Sequence, residues 1–148
     1  MKKNEVDYMN PTELNKYWTD IYFYLRYQNQ NEDKISHQGV RILQLLDKCE
    51  HIGIKEVAKN IDVSHNTASE HVKRLIHKSW IHKERSTVDE RMVILRLTEQ
   101  GRQVLKRNAN LDEGKLAHIL ASMTPSEKQI IDSALHLLSE RAKNATNS

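Results

Sequence analysis

Between Ile54 and Ser69 the chain reads Ile54-Lys55-Glu56-Val57-Ala58-Lys59-Asn60-Ile61-Asp62-Val63-Ser64-His65-Asn66-Thr67-Ala68-Ser69. This stretch constrains the fold more than any other. A small residue, Ala58, sits where two helices must approach closely. Four residues on, Asp62 occupies the turn, which needs a left-handed backbone that Asp tolerates better than most residues. Val63 then points into the core, and the Ser64 side chain caps the next helix. The pattern predicts a short helix from about Ile54 to Ile61. A second helix follows, with Ala68, Val72, Leu75 and Ile76 as its inward stripe.

Upstream, Asn10-Pro11-Thr12-Glu13 is a helix start, with Asn10 as N-cap, Pro11 at the first helical position and Glu13 at the third. Leu14, Tyr17, Trp18, Ile21, Tyr22 and Leu25 recur at helical spacing, and the polar run Gln28 to Lys34 ends that helix. Val40, Leu43 and Leu46 mark another helix. Downstream, Ile81 to Ser86 and Met92 to Leu97 read as two strands joined by Thr87-Val88-Asp89-Glu90. Thr98 opens a long fifth helix. Thr124-Pro125-Ser126-Glu127 caps a sixth, with Ile130, Ile131, Ala134, Leu137 and Leu138 on its apolar face and a frayed tail from Lys143 to Ser148. The expected fold is mainly α with a small β-hairpin wing: a winged helix-turn-helix over residues 37–97, flanked by helical dimerisation regions at 1–36 and 98–148. The flanking helices are amphipathic and too few to enclose a large core. A helix from a second subunit would bury their remaining apolar faces.

The second helix of the central motif has a polar outer face toward its N-terminus. Ser64, His65, Asn66, Thr67, Ser69, Glu70 and Lys73 lie there, and short hydrogen-bonding side chains suit base edges in a major groove. Arg74 and Lys78 are placed to reach phosphates. In the hairpin, Arg85, Ser86, Asp89 and Arg91 complete the expected DNA-binding set. Arg91 is placed to enter a minor groove, where narrow A·T-rich segments attract Arg, and Asp89 is placed to brace the guanidinium or the hairpin. The bland readings are an ordinary amphipathic helix and a surface ion pair worth little.

Charge distribution bears on that choice. The net charge is only +3. From Ile54 to Leu97, however, nine Lys/Arg stand against six Asp/Glu, while the rest of the chain holds fourteen of each. The whole basic excess therefore lies in the motif segment, as counterion release from phosphates requires.

The run from Glu56 to Gly101 resembles the MarR family of transcriptional regulators. It carries that family's D-x-R wing signature in Asp89 and Arg91 and the following L-T-x-x-G in Leu97, Thr98 and Gly101. The resemblance covers about Ile35 to Arg107 by motif and nearly the whole chain by element order. It implies a homodimer built from the first and last two helices, with two winged lobes on a pseudo-palindromic operator, acting as a repressor modulated by a small molecule, oxidant or metal. Two positions depart from the family pattern. Glu70 stands where relatives often have Arg or another non-acidic residue, and Ser79 stands where they usually have Gly.

Candidate inputs for such modulation are sparse. The lone Cys49 permits no internal disulfide, and the tyrosine-rich first helix, where oxidant-sensing relatives carry their reactive cysteine, has none. His65, His71, His77 and His82 are spaced six, six and five apart, so none shares a helical face at ligand spacing. A site assembled across elements, with His37, His118 and Glu32 or Asp33, is not required by anything in the sequence. No metal and no cofactor is expected. Tyr17, Trp18, Tyr22 and His37 form a candidate small-molecule pocket, although Tyr17, Trp18 and Tyr22 also fit an interface stripe.

The sequence therefore points to double-stranded DNA as partner, with a winged-helix protein-interaction module as the alternative. The absence of a Gly-rich phosphate loop, a paired nucleophile and base, or a closed metal motif argues against an enzyme. Without an apolar run near the roughly 20 residues that span a bilayer, no membrane association is expected and the chain reads as cytoplasmic.

Overall fold

In a computed structural model, which describes residues 9–28 and 30–146, the chain forms two compact units, Met1–Leu111 and Asp112–Ser148. The first holds α1 (Pro11–Leu25), a 3-10 turn (Gln30–Asp33), α2 (His37–Lys48), α3 (Ile54–Ile61), α4 (His65–His77), β1 (Ile81–Arg85), β2 (Val93–Leu97) and α5 (Glu99–Ala109). The second holds α6 (Glu113–Ala121) and α7 (Pro125–Thr146). Helix starts have local chemical causes; at α3, whose N-cap is Gly53, the Glu56 carboxylate accepts the Gly53 amide at 2.8 Å. Asn10, Ser36, Ser64, Thr98 and Asp112 each accept a hydrogen bond from a first-turn amide, which satisfies a donor the helix itself cannot. At α7 the Thr124 hydroxyl and the Glu127 carboxylate accept from each other's backbone amides, at 3.2 and 3.0 Å.

Three boundaries differ from the sequence reading. The long helix expected from Thr98 is two helices. Asn110 leaves the helical backbone as an extended C-cap, Leu111 pairs with Arg26 in an isolated antiparallel bridge, and Asp112 starts α6 by accepting from Gly114 and Lys115. At the C-terminus α7 stays helical through Thr146, beyond the expected fraying at Lys143; residues 147–148 lie outside the described residues. Ser86 and Met92 fall just outside the strands.

The core of the first unit is a single cluster. Ile42 and Leu43 of α2, Val57 and Ile61 of α3, Ala68, Val72 and Leu75 of α4, Ile81, Leu95 and Leu97 of the hairpin, and Val104 and Leu105 of α5 are all buried together. Each large aliphatic side chain so buried contributes about 1.5–3 kcal/mol, so this cluster fixes α4 and the hairpin against the same support. The strands pair antiparallel with Ile81 opposite Leu97 and Arg85 opposite Val93. The other edge of β2 is partly occupied as well, because Leu95 donates its amide to the Ile52 carbonyl at 2.8 Å.

By contrast, α1, α6 and α7 each bury none of their own residues. Large apolar side chains stay in water on all three: Tyr17, Trp18 and Phe23 on α1, Ile119 on α6, and Ile130, Leu137 and Leu138 on α7.

Candidate nucleic-acid interface

The turn between α3 and α4 is built as its residues dictate. Asp62 has φ 55° and ψ 57°, in the left-handed region. With that reversal the Val63 amide reaches back to the Ala58 carbonyl at 3.0 Å and closes the end of α3. The Ser64 hydroxyl accepts from the Thr67 amide at 3.1 Å and donates to the Thr67 hydroxyl at 2.9 Å, so these two side chains are engaged with each other. His65, Asn66, Glu70, Lys73 and Arg74 are exposed on α4, and Ser69 is half-buried. Glu70 does not stand alone as an acid, since its carboxylate lies 3.4 Å from the Lys73 ammonium.

At its far end α4 closes on Ser79, which takes φ 62°. Its amide bonds the Ile76 carbonyl at 2.9 Å, and the Trp80 amide bonds the Leu75 carbonyl at 3.1 Å, the paired bonds of a left-handed helix stop. Glycine would fit this backbone without the Cβ penalty that Ser79 carries. The stop leads into a joint. The Trp80 carbonyl accepts the Thr98 amide at 3.0 Å, the Thr98 hydroxyl donates to the Ser79 carbonyl at 2.6 Å, and Gly101 lets the first turn of α5 lie directly on Trp80.

The wing loop is organised from inside. Ser86 is buried at 5% exposure, and its hydroxyl accepts the Val88 and Asp89 amides at 3.2 and 3.4 Å. The sequence reading placed Ser86 among the exposed contacts; the structure gives it instead the task of shaping the loop. Asp89 accepts the Arg91 amide at 3.0 Å, so it braces the hairpin backbone and not the guanidinium. Arg85 is exposed, with one long bond of 3.5 Å to the Glu90 carbonyl. The Arg91 guanidinium is exposed and makes no hydrogen bond or ion pair among the described residues.

A charged cluster at the base of the wing escaped the sequence reading. Glu84 accepts from Arg96 Nε at 2.6 Å and lies 2.8 Å from His82 Nε2. Its carboxyl is held below the usual range, first by the bond to His82 and then by Arg96. The signal was available in the strand alternation: His82 stands opposite Arg96, and Glu84 shares their face. A second cluster had no local signal. Asp33 accepts a two-pronged pair of bonds from Arg107 at 3.1 and 2.8 Å and a third from Asn108 at 2.9 Å. Chiefly because of the Arg107 bonds, its carboxyl is held below the ordinary value of 3.8.

Among the described residues, the four proposed for a small-molecule pocket lie on α1 and at the start of α2. Tyr17 and Trp18 are exposed, Tyr22 is half-buried with its hydroxyl donating to the Asn108 carbonyl at 3.4 Å, and His37 is exposed in the first turn of α2. Among the described residues no cluster of three or more His, Cys, Asp or Glu is arranged to hold a metal. Among them, too, no helix is long and apolar enough to cross a membrane.

Comparison with known proteins agrees with this geometry. The family model described as transcriptional regulator SarA/Rot matches residues 25–107, more than half of the chain. An HTH-type transcriptional regulator of Bacillus subtilis, YdgJ, is 24% identical over 113 residues, covering 76% of this chain and 67% of that protein. Among solved structures, transcriptional regulator Tm0710 from Thermotoga maritima superposes with a TM-score of 0.65 at 17% identity, over 93% of this chain and 99% of its own. Streptococcus pneumoniae FabT in complex with DNA superposes with a TM-score of 0.59 at 21% identity, over 91% and 99%.

Proposed function

Because this chain belongs to the SarA/Rot family of transcriptional regulators, we propose that it acts by binding double-stranded DNA through α4 and the wing, as a homodimer on a pseudo-palindromic operator and as a repressor. The observation that carries the DNA reading is the free Arg91 guanidinium on a loop whose backbone is fixed by Ser86 and Asp89. A preorganised cation at a wing tip suits a narrow minor groove. On α4, His65, Asn66, Ser69, Lys73 and Arg74 present donors and acceptors of the kind that base edges and phosphates take. That FabT was solved in complex with DNA on the same fold supports the reading. Glu70, which with the modest net charge speaks for the DNA-free interaction module, is offset by its neighbour Lys73.

The dimer reading rests on the apolar faces. Ile130, Ala134, Leu137 and Leu138 recur at helical spacing on α7, and Ile130 is 68% exposed. Such a stripe on a soluble protein marks an interaction surface, and a second copy would supply the matching stripe by symmetry.

The test is fluorescence anisotropy on DNA from upstream of the protein's own gene, against scrambled DNA, across a salt series. Selective binding with a steep salt slope is expected. Arg91→Ala should weaken binding about tenfold with an unchanged fold, whereas Asn66→Ala and Ser69→Ala should cost operator selectivity more than affinity for random DNA. Shallow, equal binding to both DNAs would sink the reading.

A further inference from the structure

The second half of α4 carries a charged flank that faces away from the base-reading residues. His71, Arg74 and Lys78, spaced three and four apart, form one wall of a crevice of about 170 Å³. Lys34 and Ser36, at the entry to α2, line it from a second segment, and Trp80 lines it as well. We propose that this crevice binds one phosphate group. The inference rests on the regulator reading above for its expected source, a backbone phosphate of the bound DNA.

Three observations support an oxyanion here. First, the lining gathers Lys34, Arg74 and Lys78 from two separate segments and includes no carboxylate. Arg74 and Lys78, one turn apart, repel each other in the absence of an anion. Second, these cations are uncommitted. Lys34 and Arg74 make no ion pair among the described residues, and Lys78 only lies over the Trp80 ring, its ammonium 5.2 Å from the centroid. Third, Lys34 is held at φ 49°, a costly backbone for a side chain of its kind. The crevice is also smaller than the ~300 Å³ at which pockets for drug-sized ligands begin, so a phosphate-sized group fits and a large effector does not. The positive end of α2 adds to the same field.

Trp80 provides a direct readout. The sequence has two tryptophans, so Trp18→Phe leaves Trp80 as the only one. In that protein, inorganic phosphate should change Trp80 fluorescence saturably, as the Lys78 ammonium leaves the ring for the anion, and matched chloride should not. The paired change Lys34→Asn and Lys78→Gln should abolish the response; Asn suits the left-handed backbone at position 34. On duplex DNA the same pair should lower the salt slope by about 1 for each cation removed per bound protomer, equally on operator and random sequence. A changed slope identifies the DNA backbone as the source. A saturable response to inorganic phosphate with an unchanged slope identifies a free phosphate instead. A folded Trp18→Phe protein that responds to neither phosphate nor DNA, with an unchanged slope in the paired variant, overturns the proposal. Should the wild-type protein bind no DNA at all, the regulator reading falls, and the phosphate titration alone decides the crevice.

Discussion

Replacing Gly101 by alanine should destabilise the protein although the site is helical and alanine is the better helix former. A Cβ at Gly101 would fall 1.9 Å from the Trp80 carbonyl oxygen and 2.9 Å from its carbonyl carbon. Both atoms are backbone, so no side chain can rotate away, and the first turn of α5 must separate from Trp80. That movement strains the Thr98 amide bond to the same carbonyl and the Thr98 hydroxyl bond to Ser79. Overpacking of this kind costs about 1–3 kcal/mol, and one weakened hydrogen bond adds roughly 0.5–1.5 kcal/mol. The gain in helix propensity returns at most about 1 kcal/mol. The net loss is about 1–3 kcal/mol, which at this chain length lowers the Tm by roughly 3–10 °C. Urea and thermal unfolding followed by far-UV circular dichroism measure it. Gly114→Ala is the control, since its Cβ would meet only the Asp112 carboxylate oxygen, at 3.2 Å. Equal stability changes for the two substitutions, or a more stable Gly101→Ala protein, would refute the close-approach argument.

Two further outcomes follow from the backbone and from the half-buried Asp33–Arg107 pair. Ser79→Gly should stabilise by about 0.5–1 kcal/mol in the same unfolding assay, because it removes a left-handed Cβ cost of roughly 1–2 kcal/mol and adds less than that in unfolded-chain entropy; an unchanged or lower stability would contradict it. Arg107→Met should cost about 1–3 kcal/mol at neutral pH by leaving Asp33 without its two-pronged partner. Because the Asp33 carboxyl is lowered in the folded state, its contribution is present above the ordinary value of 3.8 and is lost as pH falls through the lowered value. The gap between wild type and Arg107→Met in pH-dependent unfolding should therefore narrow below that range, and a gap that stays constant would exclude Asp33 as its origin.

What the sequence disclosed divides along the line between local and long-range chemistry. Asn10, Ser64, Thr98 and Thr124 were readable as helix starts because each cap is decided within four residues. Asp62 was readable because few side chains tolerate its backbone. The break at Asn110–Asp112 falls inside the long helix expected from Thr98, although Asp112 and Gly114 spell a helix start. The bridge that draws Leu111 to Arg26 has no local trace. The Asp33–Arg107 pair spans 74 residues and is invisible to any window along the chain. Ser86 reads in the sequence as one of the hairpin's DNA contacts. Its burial comes from the hairpin, which turns two loop amides onto its oxygen.

The residues that carried the family resemblance are therefore not mainly the residues that would touch DNA. Thr98 and Gly101 join the end of α4, the base of the hairpin and the start of α5 through Ser79 and Trp80. Asp89 holds loop backbone, and Ser64 with Thr67 holds the start of α4. These positions build a frame that fixes a helix and a wing on one core, and the frame is what a shared motif can transmit. The side chains of His65, Asn66 and Ser69 make no hydrogen bond among the described residues. A change at these three side chains should therefore leave the frame undisturbed.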